Sequence, residues 1–257
     1  MQGTNRVRDL VSVITPVFNG ERFLSDAYDS LKSQKFQNWE WTVVDDCSTD
    51  NTWNILKNIS ASDGRVSMYS HLENLGAATA RNTALKNSKG RFIAFLDVDD
   101  FWFPSKLNSQ ISFMLSNDCQ ISFSPFYIAK ENGYLTTEIW DQNAPIEINY
   151  ETLLMKKATF GCSTVIVDVD KAGMFRMPDL KSGQDYATWL KLLRKGALAH
   201  KYPEPVSAYR LVPGSVSRNK VKKAVRQWQI YRKHEGLGLR RSFYYFLNYA
   251  FRAIFRP

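Results

Sequence analysis

Between residues 11 and 96 the chain alternates short apolar runs with segments whose apolar residues recur at helical spacing. VSVIT, residues 11–15, is a β-branched run stopped by Pro16 and predicts a buried strand. Residues 21–34 place Phe23, Leu24, Ala27, Tyr28 and Leu31 at helical intervals. WEWTVVDD predicts a second strand ending in Asp45 and Asp46, and a helix capped by Ser48, Thr49 or Asp50 follows. RVSMYS is a third strand, NLGAATARNTALKNS a loop and an alanine-rich helix, and GRFIAFL a fourth strand. The order βαβαβαβ predicts an α/β fold: a doubly wound, mostly parallel sheet with helices on both faces. A ligand is expected at the polar C-terminal ends of the strands.

Past residue 104 the pattern loosens. It predicts a helix over 104–115, one strand over 120–129, a polar stretch over 130–150, a helix near 150–157, a strand near 163–167 and a helix over 185–195. A hydrophobic fraction of 44% suits a globular core. Three cysteines, Cys47, Cys119 and Cys162, without CxxC spacing argue against a disulfide framework or a structural zinc site and fit a reducing cytoplasm. The first ten residues lack the apolar centre of a signal peptide, and no apolar run reaches the about 18 residues that span a bilayer.

The net charge of +9 is unevenly placed: residues 218–257 hold eleven Lys and Arg against one acid, Glu235. The rest of the chain is near neutral, with 23 bases against 24 acids. The expected organisation is a domain over 1–217 and a basic, amphipathic helical tail over 218–257. Such a tail suits a polyanion, either an anionic membrane or a nucleic acid.

FLDVDDFW, residues 95–102, crowds Asp97, Asp99 and Asp100 where the fourth strand ends. Like charges this close repel, and a carboxylate at the edge of a core costs free energy unless it is paired. Asp97 and Asp99 are two apart and point the same way in an extended segment. Two hard oxygen ligands on one side suit Mn²⁺ or Mg²⁺, which also take a substrate's phosphates; an Asp-rich turn is the plainer alternative. Asp45 and Asp46 can accept hydrogen bonds from a base or ribose, or belong to a cap cluster. Asn74 and Gly76 lead into a helix with free N–H groups. Arg81, on that helix, either reaches a ligand or pairs with the nearby acids. His71, His200 and His234 have no metal-ligand spacing.

Taken in order, VSVITPVFNGERFL, VVDDCSTDNT, NLGAATARNTAL and GRFIAFLDVDDFWFPSKL resemble the family-2 inverting glycosyltransferases of GT-A fold. The resemblance is dense over residues 9–110 and sparser through GCSTVIVD, GQDYATWLKLL and YRLVPGSVS. Among them the chain is similar to bacterial transferases that build teichuronic acids and O-antigen side chains. The resemblance implies a nucleotide-binding half over 9–110 and an acceptor-side half over 111–217. It implies a UDP-sugar pocket from Thr15, Pro16, Asn19, Asp45, Asp46, Asn74, Gly76, Arg81, Asp97, Asp99 and Asp100, with Asp99 and Asp97 toward the metal. Where many relatives carry Glu-Asp this chain has Gln184-Asp185, which leaves Asp185 as the general base or, alternatively, as a helix cap.

The implied reaction moves a hexose or N-acetylhexosamine from a UDP-sugar to a polyprenyl-diphosphate-linked sugar. Phe101, Trp102 and Trp140 could stack on a sugar, although core packing suits them better, and Cys162 reads as a small buried residue. RSFYYFLNYAFRAIFR, residues 241–256, sets Arg241, Asn248 and Arg252 on a narrow stripe of an otherwise apolar helix. That pattern suits a helix lying in a membrane interface on the inner face of the cell membrane, or one folded back on the core or paired in a dimer. A metal-dependent phosphotransferase and a basic nucleic-acid binder are the competing functions. The first usually carries its Asp after the first strand; the second fits poorly with basic excess confined to the tail, so no nucleic-acid partner is expected.

Overall fold

The computed structural model describes residues 6–212 and 220–255. The end of the YRLVPGSVS motif, Arg218 and Arg256 lie outside them. The first half follows the expected alternation: β1 (Val7–Val17), α1 (Leu24–Lys32), β2 (Trp39–Asp45), α2 (Thr52–Ser62), β3 (Val66–Ser70), α3 (Ala77–Asn87) and β4 (Gly90–Phe95). Side chains alternate across a strand, and here both faces are covered. Val13, Val43 and Ala94 pack with Leu24, Leu31, Leu56 and Ile111 on one side. Ile14, Val44, Ile93 and Phe95 pack with Ala80, Ala84 and Trp189 on the other. Burial on both faces explains why the centres of β1, β2 and β4 are mostly apolar rather than alternating.

The chain continues through β5 (Phe101–Trp102), α4 (Lys106–Ser116), β6 (Ile121–Phe123), β7 (Phe126–Ala129), β8 (Leu135–Trp140), β9 (Glu147–Ile148), α5 (Tyr150–Leu154), β10 (Ile166–Asp168), α6 (Val169–Ala172), α7 (Gln184–Arg194), β11 (Ala199–Lys201) and β12 (Ser207–Arg210). An eight-stranded sheet has the order β3-β2-β1-β4-β10-β6-β11-β9, and a four-stranded sheet the order β5-β12-β7-β8. The large sheet is parallel from β3 to β4, and β10 then runs antiparallel to both β4 and β6.

Four expectations need correction. The strand expected over 120–129 is two strands in two sheets. Pro125 separates them, and a proline cannot donate to a ladder. The polar stretch 130–150 holds β8 and β9, both on sheet edges where polar residues are tolerated. The helix at 150 stops at Leu154, and Lys156 turns left-handed with φ 57°. The strand expected from 163 starts at Ile166, because Cys162–Thr164 form a 3₁₀ turn.

The tail forms α8 (Lys220–Gln229), a π turn (Ile230–His234) and α9 (Leu239–Phe255), and it folds back on the body. Ile230, Tyr231, Leu237 and Tyr245 join the core that contains α5 and α7. Tyr231 donates to the Leu154 carbonyl at 2.7 Å, and Tyr150 donates to Glu235 at 2.7 Å. No helix among the described residues is long and apolar enough to cross a membrane.

Lys106 is fully buried; its Nζ donates to Gln110 Oε1 at 2.7 Å and lies 5.0 Å from the Trp102 ring. Burial brings its pKa down to about 7. A base whose pKa is lower folded than unfolded destabilises the fold below the folded value, and that cost disappears as pH rises toward the unfolded value. Wild type should therefore gain stability relative to Lys106→Met between pH 7 and about 10, by a few kcal/mol. Urea titrations of both proteins across that range check this; parallel curves would refute it.

Candidate functional site

The loops that leave β1, β2 and β4 meet the start of α3, the Cys162–Thr164 turn and the start of α7. The first two loops are tied together: Asn19 (φ 50°) accepts from Thr49 N at 2.8 Å, and its own N–H donates to Ser48 Oγ at 2.8 Å. Asp45 is buried and accepts from Ser48 N at 3.1 Å. Pro16 is half-buried beside it, and Asn74 is exposed at the approach to α3.

Three expected ligand contacts turn inward. The buried Thr15 hydroxyl donates to the Leu96 carbonyl at 2.6 Å and accepts from Trp41 Nε1 at 2.7 Å, so it joins β1 to β4 and β2. Asp46 accepts from Leu75 N at 3.0 Å and Gly76 N at 2.6 Å, and it lies 2.7 Å from His71 Nδ1. His71 Nε2 in turn meets Thr83 Oγ1 at 3.0 Å. Asp46 therefore braces the loop that enters α3, where Gly76 takes φ 86°. Asp100 is buried as well, accepting from Ser163 Oγ at 2.6 Å and from Arg210 N at 3.1 Å. Each of these groups has hydrogen-bond partners within the protein.

Ser163 and Arg210 are the residues that the sequence reading missed. Ser163 Oγ also accepts from Asp97 N at 3.1 Å, and its carbonyl accepts from Trp102 Nε1 at 2.9 Å. Arg210 donates to Asp26 at 2.9 Å and to the Glu131 carbonyl at 3.0 Å, with its guanidinium 4.9 Å from the Phe23 ring and 5.5 Å from Phe101. FGCST was the available signal for Ser163, but a serine beside a cysteine carries no distinctive pattern. Trp102 is buried and Phe101 packs on Phe103, as core packing predicts.

Asp97, Asp99 and Asp185 are half-buried, and Arg81 is buried beside Asp97. Arg81 is only 5% exposed and donates to Asp97 Oδ1 at 2.5 Å. Its Nε and Nη1 are buried without a hydrogen-bond partner among the described residues. Burial would depress the Arg81 pKa, but the charge of Asp97 leads the effects that hold it above the ordinary value, with Asp185 contributing. Burial, then the charge of Asp97, pushes the Asp99 carboxyl up to about 6. Asp100 is raised well above the ordinary range by burial, then by Asp99 and Asp97. Cys162, buried, senses Arg81, Asp97, Asp185 and Asp100 together, which places the 3₁₀ turn among these charges. Asp185 is half-buried in the first turn of α7; Gly183 (φ 79°) takes the cap position, so the cap alternative for Asp185 falls.

The donor set fits a divalent cation in part. Asp97 and Asp99 are hard oxygen ligands whose mutual repulsion a cation would relieve. No cluster of three or more Asp, Glu, His or Cys suited to a metal occurs among the described residues. The rest of a coordination sphere would have to come from phosphate and water. Arg81 supplies charge and spare donors suited to phosphate oxygens.

Comparison with known proteins bears on this geometry. Residues 12–178 match the family described as Glycosyl transferase family 2. Over 247 residues the chain is 39% identical to TuaG of Bacillus subtilis, named for teichuronic acid biosynthesis, covering 96% of this chain and 97% of that protein. It is 39% identical over 241 residues to WfgD of Escherichia coli, named as a UDP-Glc:α-D-GlcNAc-diphosphoundecaprenol β-1,3-glucosyltransferase, covering 93% and 92%. Among solved structures, residues 1–349 of S. aureus TarS with UDP-GlcNAc superimpose with a TM-score of 0.70 at 20% identity, covering 87% of this chain and 66% of that one.

Ser163→Ala should leave Asp100 and the Asp97 backbone each short of one partner and lower the unfolding free energy by about 1–3 kcal/mol. Thermal or urea denaturation measures this, and an unchanged midpoint would show that Ser163 does not staple the acidic turn.

Proposed function

We propose the reaction of this chain from one premise: it belongs to glycosyl transferase family 2. It is a glycosyltransferase of GT-A fold. The proposed reaction is an inverting transfer of a hexose or N-acetylhexosamine from a UDP-sugar to a sugar carried on a polyprenyl diphosphate, in bacterial surface-polysaccharide synthesis. The names of TuaG and WfgD support that setting, and WfgD makes UDP-glucose the first donor to test. The observation that carries the reading is Arg81: a buried cation with two donor atoms that have no partner among the described residues, in electrostatic reach of both Asp97 and Asp185.

In this reading the loops after β1 and β2, with Pro16, Asn19 and Asp45, seat the uridine, and the Asn74–Gly76 loop closes the pocket behind it. The spare donors of Arg81 hold the diphosphate. Asp99, with Asp97 second, would hold Mn²⁺ or Mg²⁺, which when bound stabilises the leaving diphosphate by several kcal/mol. Asp97 is the weaker ligand because Arg81 already neutralises it. Asp185 takes the proton from the attacking acceptor hydroxyl. It is carried on the first turn of α7. A lipid-linked acceptor puts the reaction at the inner face of the cell membrane, where the basic C-terminal segment would meet anionic lipid.

Asp185→Asn should reduce transfer to a GlcNAc-diphosphate-lipid analogue by about 10²–10⁴-fold while donor affinity holds. Rates, together with a UDP-binding titration, check this; retained transfer would remove Asp185 as the base. With UDP-glucose, an α-linked donor, NMR of the product should show a β-linkage, and an α-linkage would refute inversion.

A further inference from the structure

The α9 helix spends its polar stripe on the protein. Arg241 donates to Glu151 at 2.7 Å, Tyr245 donates to the same carboxylate, and Arg252 donates to the Lys156 carbonyl. Ser242 and Tyr245 are buried, and Phe246 packs edge-on to Trp228 at 5.5 Å. The sequence pattern alone would turn that stripe toward water; in the structure it faces α5, and apolar side chains turn outward instead. Leu239, Phe243, Leu247 and Phe251 recur every four residues along one face, Tyr244 stands beside them, and each is more than half exposed. An apolar face of this extent on a water-facing helix is unfavourable unless something covers it.

Charge chooses the cover. Arg240 on α9, and Arg232 and Lys233 in the π turn before it, are exposed within a segment of eleven bases and one acid. A second copy would bring an equally basic segment against it and be repelled. A neutral apolar partner would leave the bases unmatched. An anionic bilayer matches both features: aromatic and leucine side chains enter the acyl boundary while Arg and Lys meet the headgroups.

We propose that the outward face of α9, centred on Phe243 and Leu247, with Arg240 on the same helix and Lys233 in the preceding turn, is the surface by which this protein seats on an anionic membrane. This deepens the proposed reading by giving the face that meets the lipid-linked acceptor's membrane. The seat also has a mechanical connection to the site. A Cβ placed on Gly183 would come within 3.1 Å of Arg226 in α8 and of Ile230 in the π turn. The unit carrying the membrane face therefore packs against the glycine that precedes Gln184 and Asp185.

The test is sedimentation of the full chain with phosphatidylcholine vesicles, with and without phosphatidylglycerol, in the absence of sugar nucleotide. The wild type is expected to sediment with the anionic vesicles and to be released by salt. Phe243→Glu with Leu247→Glu, both at exposed positions, should weaken that binding at least about tenfold, with circular dichroism and the melting temperature unchanged. Lys233→Gln with Arg240→Gln should weaken it roughly fivefold per residue and flatten its salt dependence. Equal binding to neutral and anionic vesicles, no binding by the wild type, or full binding by the Phe243/Leu247 variant would overturn the proposal. So would a dimer abolished by that variant in place of vesicle binding. Vesicle binding without glycosyl transfer would overturn the reaction reading and leave this surface standing.

Discussion

The site depends on one buried carboxylate. Asp100 accepts hydrogen bonds from the Ser163 hydroxyl and the Arg210 backbone, and these two partners lie on different parts of the fold. Ser163 belongs to the turn before β10 in the large sheet, and Arg210 ends β12 in the small one. Asp100 is buried, whereas Asp97 and Asp99 are half-buried. Three crowded acids thereby divide into one internal tie and two that are only half-buried. The like-charge cost of the cluster is concentrated where a cation and a diphosphate can relieve it.

The same division of labour recurs at the other strand ends. Thr15 and Asp46 are the first of their segments that a motif reader would assign to a ligand, and both are engaged internally. Their effect on a ligand is indirect: Asp46 fixes the loop that opens α3, and α3 carries Arg81. Arg81 differs from both, because it is buried and still has donors to spare. Internal polar groups that are fully paired rigidify a site, and a buried group that is not fully paired marks where a partner belongs.

The first half of the fold was readable from the chain because periodicity and burial agree there. The centres of β1, β2 and β4 are covered on both faces and mostly apolar, and the intervening helices place their apolar residues at regular spacing. The second half was less readable because its strands are short and lie at sheet edges or crossings. β8 and β9 carry polar residues that the pattern assigns to loop, and Pro125 divides one apolar stretch between two sheets. At the site, residue type was readable and side-chain direction was not. Asp97, Asp99, Asp100, Asp45 and Asp46 are the same residue by chemistry, and only tertiary partners such as Ser163 and His71 separate the tied acids from the presented ones. The C-terminal helix shows the same limit: its two faces were visible in the sequence, but which one met the protein was decided by Glu151 and Lys156, about ninety residues earlier.

On the proposed function, Asp99, Asp97 and Arg81 together form an incomplete site finished by a divalent cation and a nucleoside diphosphate. Calorimetric titration of UDP into the protein, with and without Mn²⁺, tests it most directly. Saturable binding that requires Mn²⁺ and is lost in Asp99→Asn is the predicted result. Absence of binding at millimolar UDP in the presence of Mn²⁺, or equal binding by Asp99→Asn, would contradict it.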